Sequence, residues 1–178
     1  MKKIISLILV FVMVFGLAAC GSKQEAEVPA APEAPAETEA PAEYEEPTGE
    51  RTMGLILRDE FRNLVSGGMS SAQKIADSLL SNAVIEFSGA SAPMEEGYLA
   101  GFSAEIFGFE EAVMFGPAIG SIPFVGYIFV LADAAEAESF TENLLANADP
   151  RWNICVEADE TVADYEGNLV FFVMCPNE

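Results

Sequence analysis

The chain has no histidine, and its 178 residues include 8 lysines and arginines against 29 aspartates and glutamates. Without histidine, no side chain ordinarily titrates near neutral pH, so the commonest general base and the commonest transition-metal ligand are missing. The formal net charge of −21 argues against nucleic acid or an anionic lipid surface as a partner held by bulk electrostatics, since both are repelled. Cysteine is scarce as well: Cys20, Cys155 and Cys175 are all there are.

What is present begins with the first twenty residues. Lys2 and Lys3 precede an uncharged apolar run over 4–19, and Leu17-Ala18-Ala19-Cys20 follows, then Gly21. A positive n-region, an apolar h-region and small residues before the cut have the order of a secretory signal. The tetrapeptide resembles the lipoprotein box. That resemblance implies cleavage before Cys20 and a diacylglycerol on its thiol, with no other cofactor. The competing readings are a plain secretory signal and an uncleaved helix, for which the apolar run is about long enough. Each acyl methylene contributes about 0.8 kcal/mol on burial, so two chains hold the protein firmly. The expected location is the extracytoplasmic face of the cell membrane. Export permits a disulfide between Cys155 and Cys175, and two free thiols, one or both packed as small hydrophobes, are the alternative.

Residues 20–50 are the lipidated cysteine and a linker of Ala, Pro and Glu, with nine glutamates and one lysine over 23–50. Tyr44 is the one aromatic there. Such a segment buries too little apolar area to offset ordering entropy, so disorder is expected. Spaced prolines extend it at about 3.1 Å per residue. An acidic docking tail for a cationic partner is the competing role.

Residues 51–178 are long enough for one domain with a core of its own. Apolar residues at 53, 57, 61, 64 and 65 predict a helix over 53–65, with Arg58 and Arg62 on another face. Gly67-Gly68 ends it, and a second helix is expected over 71–80. Residues 84–87 read as a weak strand, and 94–108 as an ordered loop or short turn of helix. Residues 112–132 carry no charge, which by length alone suits a membrane span. Gly116, Pro117, Gly120, Pro123 and Gly126 break it too often, and its flanks are acidic with no basic residue to orient a span. Two strands, 112–117 and 124–131, fit better. The second is apolar on both faces and so is expected to be central. Asp133-Ala-Ala-Glu136 has capping-box form and opens a helix with Ala137, Phe140, Leu144 and Ala148 inward. Residues 152–156 read as a short apolar turn or strand. A final hairpin over 161–165 and 168–174 is expected to turn at Glu166-Gly167. The fold class is α+β: N-terminal helices, then hairpin, helix and hairpin on one mostly antiparallel sheet.

Segments 97–102 (GYLAGF), 122–129 (IPFVGYIF), 151–155 (RWNIC) and 171–176 (FFVMCP) resemble those of uncharacterised lipoproteins of anaerobic Gram-positive bacteria. The resemblance implies location and architecture. It assigns no functional residue.

The chemistry-bearing motifs are fragmentary. Ser71-Ala72-Gln73-Lys74 matches the Ser-x-x-Lys of penicillin-recognising enzymes, but the companion motifs are absent, and a helix start with Ser70 or Ser71 as N-cap is the competing reading. A cysteine nucleophile has no histidine to activate it. Glu95-Glu96, Glu110-Glu111 and Glu157-Ala158-Asp159-Glu160 supply paired carboxylates, which read first as solvated surface. None matches a calcium loop, and no metal ligand set is expected. Arg151 and Trp152 are the candidate ligand contacts, a stacking platform for a sugar or peptide, with Trp152 as a domain anchor the alternative. The expectation is a membrane-anchored, non-catalytic binding module for an envelope protein or wall ligand. The alternative is a small carboxylate-dependent hydrolase of cell-wall polymers.

Overall fold

A computed structural model describes residues 51–120 and 122–177. The expected signal, Cys20 and the expected linker lie outside the described residues.

The first helix, α1 (Met53–Ser66), starts where Thr52 accepts a hydrogen bond from the Leu55 N–H. Its inward residues Leu57 and Phe61 are fully buried, each contributing about 1.5–3 kcal/mol. Helix α2 (Ala72–Leu80) is capped by the Ser71 hydroxyl and buries Ala72, Ile75, Ala76 and Leu79. Both helices therefore follow their apolar periodicity.

The main sheet has five strands in the order β1-β4-β5-β7-β6, and every neighbouring pair is antiparallel. They are β1 (Gly89–Met94), β4 (Glu111–Pro117), β5 (Val125–Val130), β6 (Glu160–Glu166) and β7 (Leu169–Cys175). β5 and β7 lie side by side inside it, with Tyr127 opposite Phe172 and Ile128 opposite Phe171. Their apolar residues alternate between two cores. Ile128, Phe171 and Val173 pack under α1 and α2. Tyr127, Phe129, Val170 and Phe172 pack under helix α3 (Ala137–Asn147) and the 99–106 segment. A strand covered on both sides has no polar face to present, which explains the doubly apolar sequence. The uncharged run over 112–132 is thus β4, a connection and β5. No helix among the described residues is long and apolar enough to cross a membrane.

Four local expectations need correction. Residues 84–87 form a turn and irregular chain, and the strand is β1, directly after them. Gly89 and Pro93 look like breakers. β1 is an edge strand, however, where a missing N–H costs no ladder bond. Gly89 also allows a close approach there, since a Cβ would lie 2.5 Å from a Leu80 methyl and that side chain would have to shift. The loop over 94–108 contains a second, two-stranded sheet of β2 (Gly97–Tyr98) and β3 (Glu105–Ile106). Asp133 caps a 3-10 turn (Ala134–Glu136), and α3 follows it. The last hairpin turns at Gly167-Asn168, one residue later than expected, since Glu166 already pairs with Leu169. Gly167 takes the left-handed conformation, φ 62°, that such a two-residue loop requires.

The two ends of the domain are joined through one carboxylate. Glu160, at the start of β6, accepts from the Thr52 hydroxyl at 2.5 Å and from the Gly54 N–H at 3.0 Å. It therefore satisfies an orphan donor in the first turn of α1. Gly54 is required there, since a Cβ would lie 2.7 Å from Glu160 Oε2. Further along the same pair of elements, Arg62 Nε donates to Asp164 Oδ2 at 2.5 Å. Arg58 lies 4.0 Å from the same oxygen.

Candidate functional site

The turn over 151–155 holds three of the residues singled out from the sequence. Asp149 Oδ1 accepts from the Arg151 N–H at 3.0 Å and fixes its start. Arg151 is exposed, and its guanidinium engages Glu157 Oε2 through Nε at 2.9 Å and Nη2 at 2.7 Å. Trp152 is half-buried against the core beneath α3. Arg151, Ile154, Cys155, Val156 and Glu157 line a shallow recess of about 190 Å³. The guanidinium already has a carboxylate partner, and the indole packs inward. The turn brings the pair together in sequence but does not present both to one ligand.

The two thiols are free. Cys155 is exposed on that turn, which Trp152 ties to the α3 side of the sheet. Cys175 is fully buried on the opposite side, among the residues packed under α1 and α2. The disulfide considered for them is not among the bonds of this structure, in which Cys155 is exposed and Cys175 fully buried. Burial pushes the Cys175 thiol well above its ordinary range, and the Glu160 carboxylate beside it, 3.6 Å from Sγ, adds to the effect. Such a thiol is a poor nucleophile.

Ser71 and Lys74 border a polar recess of about 480 Å³ with Asn63, Gly67, Gly68 and Ser70. The Ser71 oxygen accepts from the Lys74 backbone N–H at 3.4 Å. That is the N-cap role, so the Ser-x-x-Lys spacing is accounted for by the helix start.

Four of the paired carboxylates take individual structural tasks. Glu96 Oε1 accepts from the Gly108 N–H at 2.7 Å. Glu157 holds Arg151, Asp159 accepts from the Asn177 N–H at 3.3 Å, and Glu160 holds the start of α1. Among the described residues no group of three or more Cys, Asp or Glu side chains is placed to hold a metal ion.

A fifth feature was not anticipated. Met53, Val84, Glu86, Phe87, Ile122 and Pro176 line a groove of about 430 Å³. Its walls come from the start of α1, the turn after α2, the β4–β5 connection and the chain just beyond β7. Asn82 shapes the turn, its side chain accepting from the Val84 N–H at 3.0 Å and its carbonyl from the Ile85 N–H at 3.0 Å. Phe87 is held edge-on against Phe124, ring centroids 5.0 Å apart. Five of the six lining side chains are apolar, and Glu86 is the one charge. Such a groove suits an apolar side chain with few polar anchors. In sequence its residues are spread over more than a hundred positions. The apolar cluster Val84, Ile85 and Phe87 is visible in the sequence but reads as a strand, not as the wall of a groove. None of the three recesses holds more than one carboxylate.

No family model, no curated protein and no solved structure matches the chain.

Proposed function

We propose that the protein is a lipoprotein, held at the extracytoplasmic face of the cell membrane by a diacylglycerol on Cys20. On this reading residues 51–178 are a non-catalytic binding module that docks an apolar segment of an envelope protein. The location is supported by Lys2, Lys3, the apolar run and Leu17-Ala18-Ala19-Cys20. The Ala/Pro/Glu stretch after Cys20 serves as a spacer between lipid and domain. The segments resembling lipoproteins of anaerobic Gram-positive bacteria agree with this placement.

The observation that carries the binding role is the groove between Met53, Val84, Phe87, Ile122 and Pro176. Its lining favours a polypeptide side chain over a wall glycan, whose hydroxyl groups would lose water against apolar walls. Two experiments test the reading. Growth with a radiolabelled fatty acid should label the parent and leave Cys20→Ser unlabelled; label on both removes the anchor. A photocrosslinking residue at position 84 should give one discrete protein adduct on living cells. Absence of any adduct, or turnover of wall fragments that a single Glu→Gln change abolishes, overturns the binding module.

A further inference from the structure

The strongest surface feature lies on the other side of the sheet from the groove. β2 and β3 pair Gly97 with Ile106 and Tyr98 with Glu105. Side chains alternate along a strand. Leu99 and Ile106 therefore point into the core beneath α3, 4% and 0% exposed. Glu96, Tyr98, Glu105 and Phe107 form the outward set. Tyr98 is 78% exposed and Phe107 54%, which is unusual for rings this large. They sit diagonally across the pair, within reach of each other.

This face is preorganised. Glu96 Oε1 closes the hairpin on the Gly108 N–H. The Tyr127 hydroxyl donates to the Ala100 carbonyl at 2.8 Å. The Ser103 N–H donates to the Asn147 carbonyl and the Asp149 N–H to the Gly101 carbonyl, each at 2.9 Å. The rings thus stand on a hairpin fastened to the sheet and to the end of α3, and little ordering remains for a ligand to impose.

The charge around it has one sign. Residues 95–149 contain ten aspartates and glutamates and no lysine or arginine. β2, β3 and α3 all belong to that stretch. On the α3 side, Arg151 is engaged by Glu157. A second copy of this chain would bring the same charge and is disfavoured. So is an anionic lipid or nucleic acid. An aromatic ring with carboxylates at its edge attracts guanidinium and ammonium groups through both ring quadrupole and charge.

We propose that the outward face of Glu96, Tyr98, Glu105 and Phe107 is a docking surface for a basic polypeptide segment, with arginine or lysine side chains laid over the two rings. It lies across the sheet from the groove, so the failure of either surface leaves the other standing.

The test uses the full chain in detergent micelles and a fluorescein-labelled nona-arginine peptide, followed by fluorescence anisotropy at low and moderate salt. Both rings are exposed, so Tyr98→Ala/Phe107→Ala should fold, and its melting curve checks this. It keeps every charge and should bind about five- to thirtyfold more weakly. Glu96→Gln/Glu105→Gln should bind several-fold more weakly with a flatter salt dependence. Glu138→Gln/Glu142→Gln removes the same charge from α3 and should bind nearly as the parent does. Val84→Asp, in the groove, should leave peptide binding unchanged. The proposal is overturned if the double alanine variant binds like the parent, since bulk acidity then explains the affinity. It is overturned equally if the parent fails to bind the peptide, or if tetramethylammonium displaces it at equal concentration.

Discussion

Gly126 offers the sharpest check on the packing described above. It lies in β5 opposite Phe115 of β4, and the Phe115 ring covers it. A Cβ at position 126 would lie 2.2, 2.5 and 2.6 Å from three atoms of that ring. Carbon atoms prefer about 3.5–4.0 Å, so the ring would have to move by about 1 Å or more. It has little room, being fully buried and packed against Phe124 with centroids 5.9 Å apart. Overpacking of this kind costs about 1–3 kcal/mol. Alanine recovers about 0.4–1 kcal/mol by restricting the unfolded chain. The net expectation for Gly126→Ala is a loss of about 1–2 kcal/mol. With a urea slope of about 2 kcal/mol per molar, the midpoint should fall by about 0.5–1 M. Gly116→Ala is the control, also buried and in the neighbouring strand. There the nearest atom to the new methyl is the Phe124 carbonyl oxygen at 3.4 Å, an ordinary contact. That variant should be neutral or slightly stabilised. Phe115→Leu should rescue part of the Gly126→Ala loss, because the two changes share one space. Equal midpoints for the two alanine variants, or strict additivity with Phe115→Leu, would refute the packing argument.

The other expectations concern the thiols and the ion pairs. Cys155 should react with a thiol reagent in the native protein and Cys175 only after unfolding, read by intact mass. Because the folded Cys175 thiol is held neutral, its contribution to stability is intact below the unfolded pKa of about 8.5 and declines as pH rises above it. The parent should therefore lose up to about 1.4 kcal/mol per pH unit more steeply in that range than Cys175→Ala does; parallel slopes would count against it. Glu160→Ala should cost about 1–2 kcal/mol by stripping the Thr52 hydroxyl and the Gly54 N–H of their acceptor, with Glu160→Gln losing less. Arg58, then Arg51, hold the Asp59 carboxyl below its usual range against the opposing effect of burial. The resulting stability is present above about pH 3.9 and is lost as pH falls through the depressed value. The pair is partly exposed, so Asp59→Asn should cost less than about 1 kcal/mol at pH 7 and less still in high salt; a larger, salt-independent loss would show the pairing to be misjudged.

Much of the α+β architecture was legible where one physical signal dominated. Helices α1 and α2 followed from apolar spacing and from Ser71 ahead of the second. β5 and β7 followed from runs apolar on both faces, which only a covered central strand can place. β1 was missed because Gly89 and Pro93 count against a strand in general. At an edge, beside Leu80, those same residues are tolerated. The β2–β3 pair is too short to leave a period, and only the alternation of Glu96, Gly97, Tyr98 and Leu99 hinted at it. The groove was illegible because Met53, Val84, Ile122 and Pro176 meet only through the sheet order. Cys155 and Cys175 show the same limit from the other direction. Counting allowed one pairing, whereas the structure leaves one thiol exposed and the other buried.

The two faces of the sheet differ in what remains after their internal pairs are made, and that difference separates the two proposed surfaces experimentally. Arg51, Arg58, Arg62 and Lys74 are on or beside α1 and α2, where Asp59 and Asp164 take up three of the four cations. Among the described residues the α3 side has Arg151 alone, already held by Glu157, against Glu96 and Glu105 of the hairpin and Asp133, Glu136, Glu138 and Glu142 on or before α3. A segment seated in the groove is held mainly by apolar contact, which salt does not screen. A basic segment on the hairpin is held by a field whose screening length shrinks from about 8 Å at 0.15 M salt to about 3 Å at 1 M. A partner crosslinked through position 84 should therefore survive a high-salt wash before irradiation. One captured through position 105 should be lost in the same wash. If both partners are retained, or both released, the two faces do not bind by the different forces argued here.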